Sequence, residues 1–183
     1  EAERLLWALA PFLDRGVPVV GLEPSCTLTL RDEYLVLLPG PDARALAAQA
    51  LLFEEFLARE ADAGRLSLAL RPIAAEVLVH GHCHQKAFDA DSATERVLGL
   101  VPGLSVRLIE SSCCGMAGAF GYEAEHRDIS MKMAEAALLP AVRAAPPEAI
   151  LVADGTSCRQ QIADGAGRSA VHAVRVLEAA LAV

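Results

Sequence analysis

The chain has 183 residues, a formal net charge of −8 at pH 7 and a hydrophobic fraction of 54%. This length suits one good-sized domain, or two small halves that share a core. The negative charge argues against nucleic acid or an anionic membrane surface as the main partner, because clustered Lys and Arg recognise both. No window approaches the roughly 18 uninterrupted apolar residues of a membrane span, so we expect a globular protein.

The first predicted elements are a helix, a strand and a long helix. Residues 2–15 place apolar side chains on one helical face, and Gly16 ends the run. The segment VPVVGL, residues 17–22, is short and β-branched, which predicts a buried strand. Within residues 42–63, apolar residues recur at spacings of four, three and four, which predicts one amphipathic helix with Asp42 as N-cap.

Strands and helices alternate along the rest of the chain. This alternation implies βαβ units, so we predict an α/β fold with mostly parallel sheets and flanking helices. The predicted strands span residues 76–82, 105–110 and 149–154. The predicted helices span residues 85–101, about 125–139, and 173–181, and the residues expected to face inward from the helix over 125–139 are Ile129, Met133, Ala136 and Ala137.

A weak internal repeat divides the chain. The stretches VVGLEPSCTLTLRD and LVADGTSCRQQIAD share a buried strand, a polar turn, Ser-Cys and an aspartate six positions after the cysteine. We interpret residues 1–183 as a single domain of two pseudo-repeated halves, with 1–72 the remnant of the first half and 73–183 the complete second half. Because the chain opens at Glu1 without a methionine, we expect it to be a fragment of a longer polypeptide.

Every cysteine lies within a few residues after a predicted strand. Loops beyond the carboxyl ends of parallel strands lie along one edge of a sheet, where ligands bind, so we expect the cysteines to gather in space. Cys83, Cys113, Cys114 and Cys158 are spaced C-x29-C-C-G-x42-C. Four thiolates would suffice for an iron-sulfur cluster or a tetrahedral zinc, and the divergence of adjacent cysteines favours the multi-metal cluster.

The number of cysteines also bears on the compartment. Five cysteines with uneven spacing fit a reducing environment and metal or redox use better than a secreted disulfide framework. We therefore expect a cytoplasmic protein, which partners could bring to the inner membrane.

Three histidines alternate around Cys83 in the stretch VHGHCHQK. If the strand persists through it, His80, His82 and His84 point to one face and Cys83 to the other. We predict that local hydrogen bonds satisfy His80 at the strand end. We predict that His84 is a hydrogen-bond donor or proton carrier near the reaction centre rather than a ligand.

Four further residues are candidates for the same site. Gly115 and Gly118 follow the adjacent cysteines, and glycine lets backbone N–H groups reach cluster sulfides. Cys26 is the repeat mate of Cys158, which makes it a candidate pocket residue or fifth ligand. Glu23 could supply a carboxylate nearby.

Three segments together resemble the cysteine-rich CCG domain family. GHCHQKA, residues 81–87, is similar to the first cysteine segment of the family, SSCCGMAGAFG, residues 111–121, to its CCG signature, and DGTSCRQQI, residues 154–162, to its closing segment. The family occurs in heterodisulfide reductase and in iron-sulfur subunits of the glycolate oxidase type. The amino-acid sequences of these three segments are most similar to the C-terminal region of bacterial FAD-linked D-lactate and D-2-hydroxyglutarate dehydrogenases with fused iron-sulfur domains.

The resemblance implies an iron-sulfur electron-transfer domain of a FAD-linked 2-hydroxy-acid dehydrogenase, with a 4Fe-4S cluster held by Cys83, Cys113, Cys114 and Cys158. It implies that FAD binds on a part of the polypeptide outside this sequence, and that the partners are a flavin domain and a ferredoxin-like domain of that polypeptide. The fullest family pattern closes with C-x-x-C, whereas Gly155 stands at the first of these positions, one ligand fewer than a five-cysteine site.

Two other functions fit the same residues. A structural zinc module could dock the catalytic domains, since four thiolates also suit tetrahedral zinc. A thiol-disulfide redox domain could use Cys113 and Cys114, although a disulfide between adjacent cysteines is strained.

Overall fold

Two separate parallel sheets organise the chain in the computed structural model, which describes residues 1–182. The first sheet pairs β1 (Val19–Gly21) with β2 (Ala50–Leu52). In the second sheet, β3 (Ala75–Val79) lies between β4 (Leu104–Leu108) and β5 (Ile150–Val152) and runs parallel to both. The predicted α/β fold with parallel sheets and flanking helices is confirmed.

Helices surround both sheets. The first part of the chain contains α1 (Ala2–Leu13), α2 (Pro24–Thr29), α3 (Glu33–Leu37), α4 (Pro41–Gln49) and α5 (Phe53–Asp62). The second part contains α6 (Cys83–Ala87), α7 (Asp91–Leu98), α8 (Arg127–Glu135), α9 (Leu138–Ala144), α10 (Thr156–Ala166) and α11 (Ala173–Ala180). Within residues 1–182, none of the helices has both the length and the apolar character that crossing a membrane requires.

The single long helix predicted over residues 42–63 is wrong. Residues 50–52 leave the helical path and form β2, which pairs with β1 in the register of Val19 opposite Ala50. Without β2, the backbone groups on that side of β1 would lack a partner, and pairing of buried backbone outweighs local helix propensity. The helix before it begins at Pro41, with Gly40 rather than Asp42 as its N-cap.

Two other predicted helices are each divided by a turn. Residues 85–101 form α6 and α7, and between them Asp89 adopts a left-handed φ of 54°. Residues 125–139 contain α8 and the start of α9, and Pro140 lies in the first turn of α9 rather than ending α8. Proline is compatible with a first helical turn because the N–H groups there have no intrahelical partner.

The buried face of α8 also differs from the predicted one. Ile129 and Met133 are 52% and 39% exposed, so their predicted inward orientation is wrong, and Ala136 is exposed as well. Ser130 and Ala134 are buried instead. The loop that contains Gly115 packs closely on this face, against the backbone of Ser130 and Cβ of Met133.

The second sheet is buried on both faces because side chains of β3 alternate between them. One face packs on α9 and α10 through Leu78, Leu138, Val142, Leu151 and Ile162. The other face packs on α7 and α11 through Val77, Val79, Leu98, Val152 and Val176. The carboxyl ends of β3, β4 and β5 are thereby held side by side at one rim of the sheet.

The predicted boundary at residue 72 falls between the two sheets, since β1 and β2 precede it and β3 follows it. The interpretation of the two parts as a remnant and a complete copy of one repeat stays a prediction.

The side chain of Arg168 stabilises the connection between α9 and β5 by hydrogen bonds to its carbonyl groups. Helix C-terminal carbonyl groups lack intrahelical partners, and this guanidinium satisfies several of them at once. At distances of 3.0–3.2 Å it donates to the carbonyl oxygens of Val142, Ala145, Pro146, Pro147 and Ala149.

We predict that Arg168→Met lowers the free energy of unfolding by about 2 to 3 kcal/mol, because the carbonyl groups lose a charged donor. Urea unfolding checks this value. The matched control is Arg175→Met, which removes an exposed ion pair with Glu178 and should cost about 0.5 kcal/mol or less. Equal losses in the two variants would contradict the role given to Arg168.

Candidate metal centre

Four cysteines from three segments meet at the carboxyl rim of the second sheet. Cys83 opens α6 after β3, Cys113 and Cys114 lie in the loop after β4, and Cys158 lies in the first turn of α10 after β5. Their side chains interact in sequence: Cys83 with Cys113, Cys113 with Cys114, and Cys114 with Cys158. The strand order brings the three carboxyl ends together, so the structure gathers these four residues. Their role as metal ligands stays a prediction.

The set of four cysteines, Cys83, Cys113, Cys114 and Cys158, extends from the core to the surface. Cys158 and Cys114 are 1% and 3% exposed, Cys113 is half-buried and Cys83 is exposed. A metal ion or cluster bound by these cysteines would therefore contact the protein core on one side and face solvent on the other.

The pKa shifts of the four thiols alternate in direction from Cys83 to Cys158. A hydrogen bond from Cys114 is the largest cause that lowers the pKa of Cys158, to about 5, and a bond from Cys114 likewise lowers the pKa of Cys113. The pKa values of Cys83 and Cys114 are raised, in both cases chiefly by the hydrogen bond to Cys113. Adjacent sulfurs retain protons because four negative charges in contact would repel one another. A metal cation binds thiolates by displacing such protons.

Backbone N–H groups also approach the sulfurs, and such donors offset thiolate charge at metal centres. Gly115 donates its N–H to Cys113 Sγ at 3.3 Å. The backbone N–H of His84 likewise donates to the sulfur of Cys83, and the backbone N–H of Met116 donates to the sulfur of Cys114.

The two glycines expected at the cofactor differ in what they require. Gly115 is buried with a φ of 87°, and a Cβ there would lie 2.2 Å from the carbonyl oxygen of Ser130. Gly118 is exposed with a φ of 69°, and a Cβ there would meet nothing within 4 Å. Conformation alone favours glycine at position 118, whereas position 115 also needs the space.

We predict that Gly115→Ala lowers the free energy of unfolding by at least about 3 kcal/mol, because the methyl group adds a backbone clash to a left-handed φ. Gly118→Ala serves as the matched control and should cost only about 1 to 2 kcal/mol. Chemical denaturation of both variants measures the difference. If the two losses were the same, close packing against α8 would not be the reason for Gly115.

His80 lies beside the two most buried sulfurs. It is 1% exposed, and its Nδ1 lies 2.9 Å from Ser111 Oγ. Its Nε2 has no hydrogen-bond partner of normal geometry within the described residues. A ring nitrogen of His80 and the sulfurs of Cys114 and Cys158 all lie within 4.8 Å of one another. The prediction that local hydrogen bonds satisfy His80 is therefore wrong for Nε2.

His82 occupies the space where a cysteine at position 155 would lie. A Cβ on Gly155 would lie 2.5 Å from Cδ2 of His82 and 3.2 Å from Cys158 Sγ. The Nδ1 atom of His82 accepts the His84 N–H at 3.1 Å and thereby caps α6, while Nε2 lies 3.2 Å from Ser25 Oγ. Burial lowers the pKa of His82, which favours the neutral ring that this cap requires. The strand ends before this residue, so the three histidines do not share a strand face.

Three other candidate residues lie around the thiol group. The ring of His84 contacts that of His82 edge to face, with centroids 5.7 Å apart. The Glu23 carboxylate accepts the backbone N–H of Thr156 at 2.9 Å and its hydroxyl at 2.8 Å, so it caps α10 from the first part of the chain. Cys26 is exposed on α2 and is not among the interacting sulfurs. The functional roles given to His84, Glu23 and Cys26 stay predictions.

Lys86 is a candidate that the sequence analysis missed. Its Nζ donates to the carbonyl oxygens of Ser111 and Ser112, which lead into the cysteine pair. Burial lowers the pKa of Lys86, while the charge of Asp91 and then those of the nearby cysteines oppose this change. Its spacing of three residues from Cys83 within one helix is a signal that could have indicated it.

A buried polar network lies behind the thiols. Gln85 accepts the His82 N–H at 2.9 Å and donates to Asp154 Oδ2 at 3.1 Å. Asp154 is 1% exposed and also accepts the Thr94 hydroxyl at 3.1 Å and the Ala173 N–H at 3.0 Å. This carboxylate thus connects the starts of α6 and α11 with α7.

Glu54 joins the first sheet to this network. It lies in the first turn of α5 after β2 and is 1% exposed. Its Oε1 lies 3.7 Å from His172 Nδ1, which lies 3.5 Å from Asp154 Oδ1. Burial raises the pKa of Glu54 to about 8, and the charge of Asp154 adds to the rise. A neutral carboxylic acid therefore lies between the two parts of the chain at pH 7.

We predict that stability falls as the pH rises from about 5 to 8. The folded Glu54 keeps its proton up to a pKa of about 8, whereas the unfolded residue releases it near 4.5. Because the folded state then binds the additional proton, this contribution is complete below pH 4.5 and is lost as the pH rises through 8. The loss should reach up to about 4 kcal/mol. Urea unfolding at pH 5, 6.5 and 8 measures it.

The variant Glu54→Gln keeps the shape of the side chain and removes its titration. Subtracting its pH profile from that of the unaltered protein cancels the contributions of other groups, including His82. The difference should carry most of the slope between pH 5 and 8. Parallel profiles would show that Glu54 is already ionised in the folded protein.

Comparisons with known proteins give dehydrogenases as relatives. One component of the anaerobic glycerol-3-phosphate dehydrogenase of Escherichia coli is 30% identical over 168 residues, which cover 92% of this chain and 41% of the relative. The D-2-hydroxyglutarate dehydrogenases of Escherichia coli and Pseudomonas putida are 31% and 28% identical over 177 and 173 residues, covering 92% of this chain and 16% of each relative. The chain thus spans about two fifths of the first and about a sixth of the others. No family model and no solved structure matches.

Proposed function

We propose that this chain is the iron-sulfur electron-transfer domain of a FAD-linked 2-hydroxy-acid dehydrogenase. The observation that carries the proposal is the meeting of Cys83, Cys113, Cys114 and Cys158 at one rim of the second sheet. Soft thiolate ligands of this number are typical of iron-sulfur and zinc centres. The relatives, which are dehydrogenases or a component of one, support an oxidoreductase.

The surroundings of the sulfurs fit a bound cluster. Thiolates and sulfides carry negative charge, which Lys86 and the N–H groups near the sulfurs would offset. Cys158 lies in the first turn of α10, where the positive end of the helix dipole favours a thiolate. In this proposal Gly115 supplies an N–H donor, and Gly118 keeps the following turn free of side chains. When bound, an iron-sulfur centre accepts and returns single electrons.

The remaining parts of the proposed enzyme lie outside this sequence. Because the chain corresponds to about a sixth of the D-2-hydroxyglutarate dehydrogenases, their other residues leave room for a flavin domain and a ferredoxin-like domain. We propose that the substrate is oxidised on FAD there and that electrons reach this domain singly. The exposed side of the thiol group, at Cys83, is where an electron partner could approach.

A zinc module is the second candidate, and one observation favours it. The buried group of His80, Cys114 and Cys158 offers one nitrogen and two sulfurs, and a third thiolate would complete a tetrahedral zinc site. The thiol-disulfide alternative stays a prediction, because the reduced form of a redox pair such as Cys113 and Cys114 would have free thiols as well.

Metal analysis of the anaerobically purified chain, reconstituted with ferrous iron and sulfide, tests the proposal. We predict bound iron with acid-labile sulfide and a broad absorption near ~400 nm. Cys114→Ser and Cys158→Ser should each reduce retained iron by about tenfold or more, because each removes a ligand from the buried side. Cys26→Ser is the matched control and should retain the iron.

The other outcomes separate the alternatives. Stoichiometric zinc without colour, lost in the same two variants, would favour the zinc module over the cluster. A chain that binds neither metal would overturn both.

A further inference from the structure

We propose that His80 is a ligand of the metal centre through Nε2, so that the site combines thiolates with an imidazole. This inference rests on the proposed function, since it assigns an additional donor to the same centre. Its basis is the position of His80 one residue after β3, beside the sulfurs of Cys114 and Cys158 at the buried end of the thiol group.

The contacts of Ser111 favour a free Nε2 on His80. The Ser111 hydroxyl lies 2.9 Å from His80 Nδ1, and when it donates to the carbonyl oxygen of Ile109 at 3.4 Å its oxygen is left to accept from Nδ1–H. A neutral imidazole protonated at Nδ1 carries its lone pair on Nε2. Metal-binding histidines characteristically donate the second ring N–H to a neighbouring acceptor, which fixes the ring and its tautomer.

The Nε2 atom lacks an ordinary way to satisfy this lone pair. His80 is 1% exposed, and no hydrogen-bond donor of normal geometry within residues 1–182 reaches Nε2. An unsatisfied buried polar atom destabilises the folded protein, because it has lost its hydrogen bonds to water without gaining others. A cation shared with the sulfurs would remove that destabilisation and the repulsion between the lone pair and thiolate.

The neighbouring histidines do not offer the same donor. Both ring nitrogens of His82 are engaged, by the His84 N–H and by Ser25 Oγ. His84 has a buried Nδ1 that has no partner among residues 1–182, but the group of converging ligand atoms found there includes His80 and not His84. The ring of His82 also excludes a side chain at position 155, which leaves His80 to supply the additional donor on the buried side.

A rival arrangement is an ion pair in which a doubly protonated His80 donates from Nε2 to the thiolate of Cys158. Contact with His80 does lower the pKa of Cys158, as such a pair would. The two arrangements differ in a measurable way, because only a ligand nitrogen is bonded to the metal.

The test uses the 183-residue chain produced with nitrogen-15 histidine and reconstituted anaerobically with ferrous iron and sulfide. Pulsed electron paramagnetic resonance of the reduced centre should show a directly bonded histidine nitrogen. We expect His80→Asn to lose this coupling, while its amide can still donate to Ser111. His84→Ala is the matched control and should keep the coupling.

For protein that takes up zinc instead, X-ray absorption at the zinc edge should show nitrogen at about 2.0 to 2.1 Å. That signal should disappear in His80→Asn and remain in His84→Ala.

An iron-sulfur centre without a histidine nitrogen in the unaltered chain would overturn the assignment of His80 and leave the proposed function standing, whereas bound zinc without such a nitrogen would overturn both. This measurement needs no variant, so it holds even if His80→Asn fails to fold. A coupling that persists in folded His80→Asn would also overturn it. Absence of any bound metal would overturn both proposals.

Discussion

The carboxylate of Asp154 is the buried acceptor on which the cysteine rim depends. One of its oxygens accepts from Gln85 and Thr94, and the other accepts the Ala173 N–H. Because Gln85 in turn accepts the His82 N–H, the turn before Cys83 is tied to the end of β5. Asp154 also begins the turn into α10. Its carboxylate therefore holds two of the three segments that carry the cysteines. A buried carboxylate of this kind is stabilised because both of its oxygens accept hydrogen bonds.

The first part of the chain completes the rim rather than contributing thiols to it. Glu23 caps α10 through Thr156, Ser25 contacts the ring of His82, and Glu54 brings a carboxylic acid to His172. These three contacts come from the segments that follow β1 and β2. The two sheets therefore meet through polar side chains at their carboxyl ends, and Cys26 is exposed on α2 outside the group of four cysteines.

The parts of the fold that follow from local pattern could be predicted, and those that depend on distant pairing could not. The β-branched runs indicated β1, β3 and β5, and the rule for parallel strands indicated that the thiols would meet. The break at residues 50–52 depends on β1, about thirty residues away, which leaves no mark on the apolar spacing. The free Nε2 of His80 depends on Ser111 and the sulfurs in the same way, because a histidine at a strand end has the same sequence whether or not its partners are satisfied.

The groups around the four cysteines differ between the buried and the exposed side. Behind them, Glu54 keeps its proton up to a pKa of about 8, and burial lowers the pKa of His82. The polar network is therefore close to neutral at these two positions. On the exposed side, Lys86 holds the loop at Ser111 and brings a positive charge toward Cys83 and Cys113. In the proposed function, a centre held between hydrogen-bonded polar groups on the buried side and Lys86 on the other side would change charge with little rearrangement of protein groups.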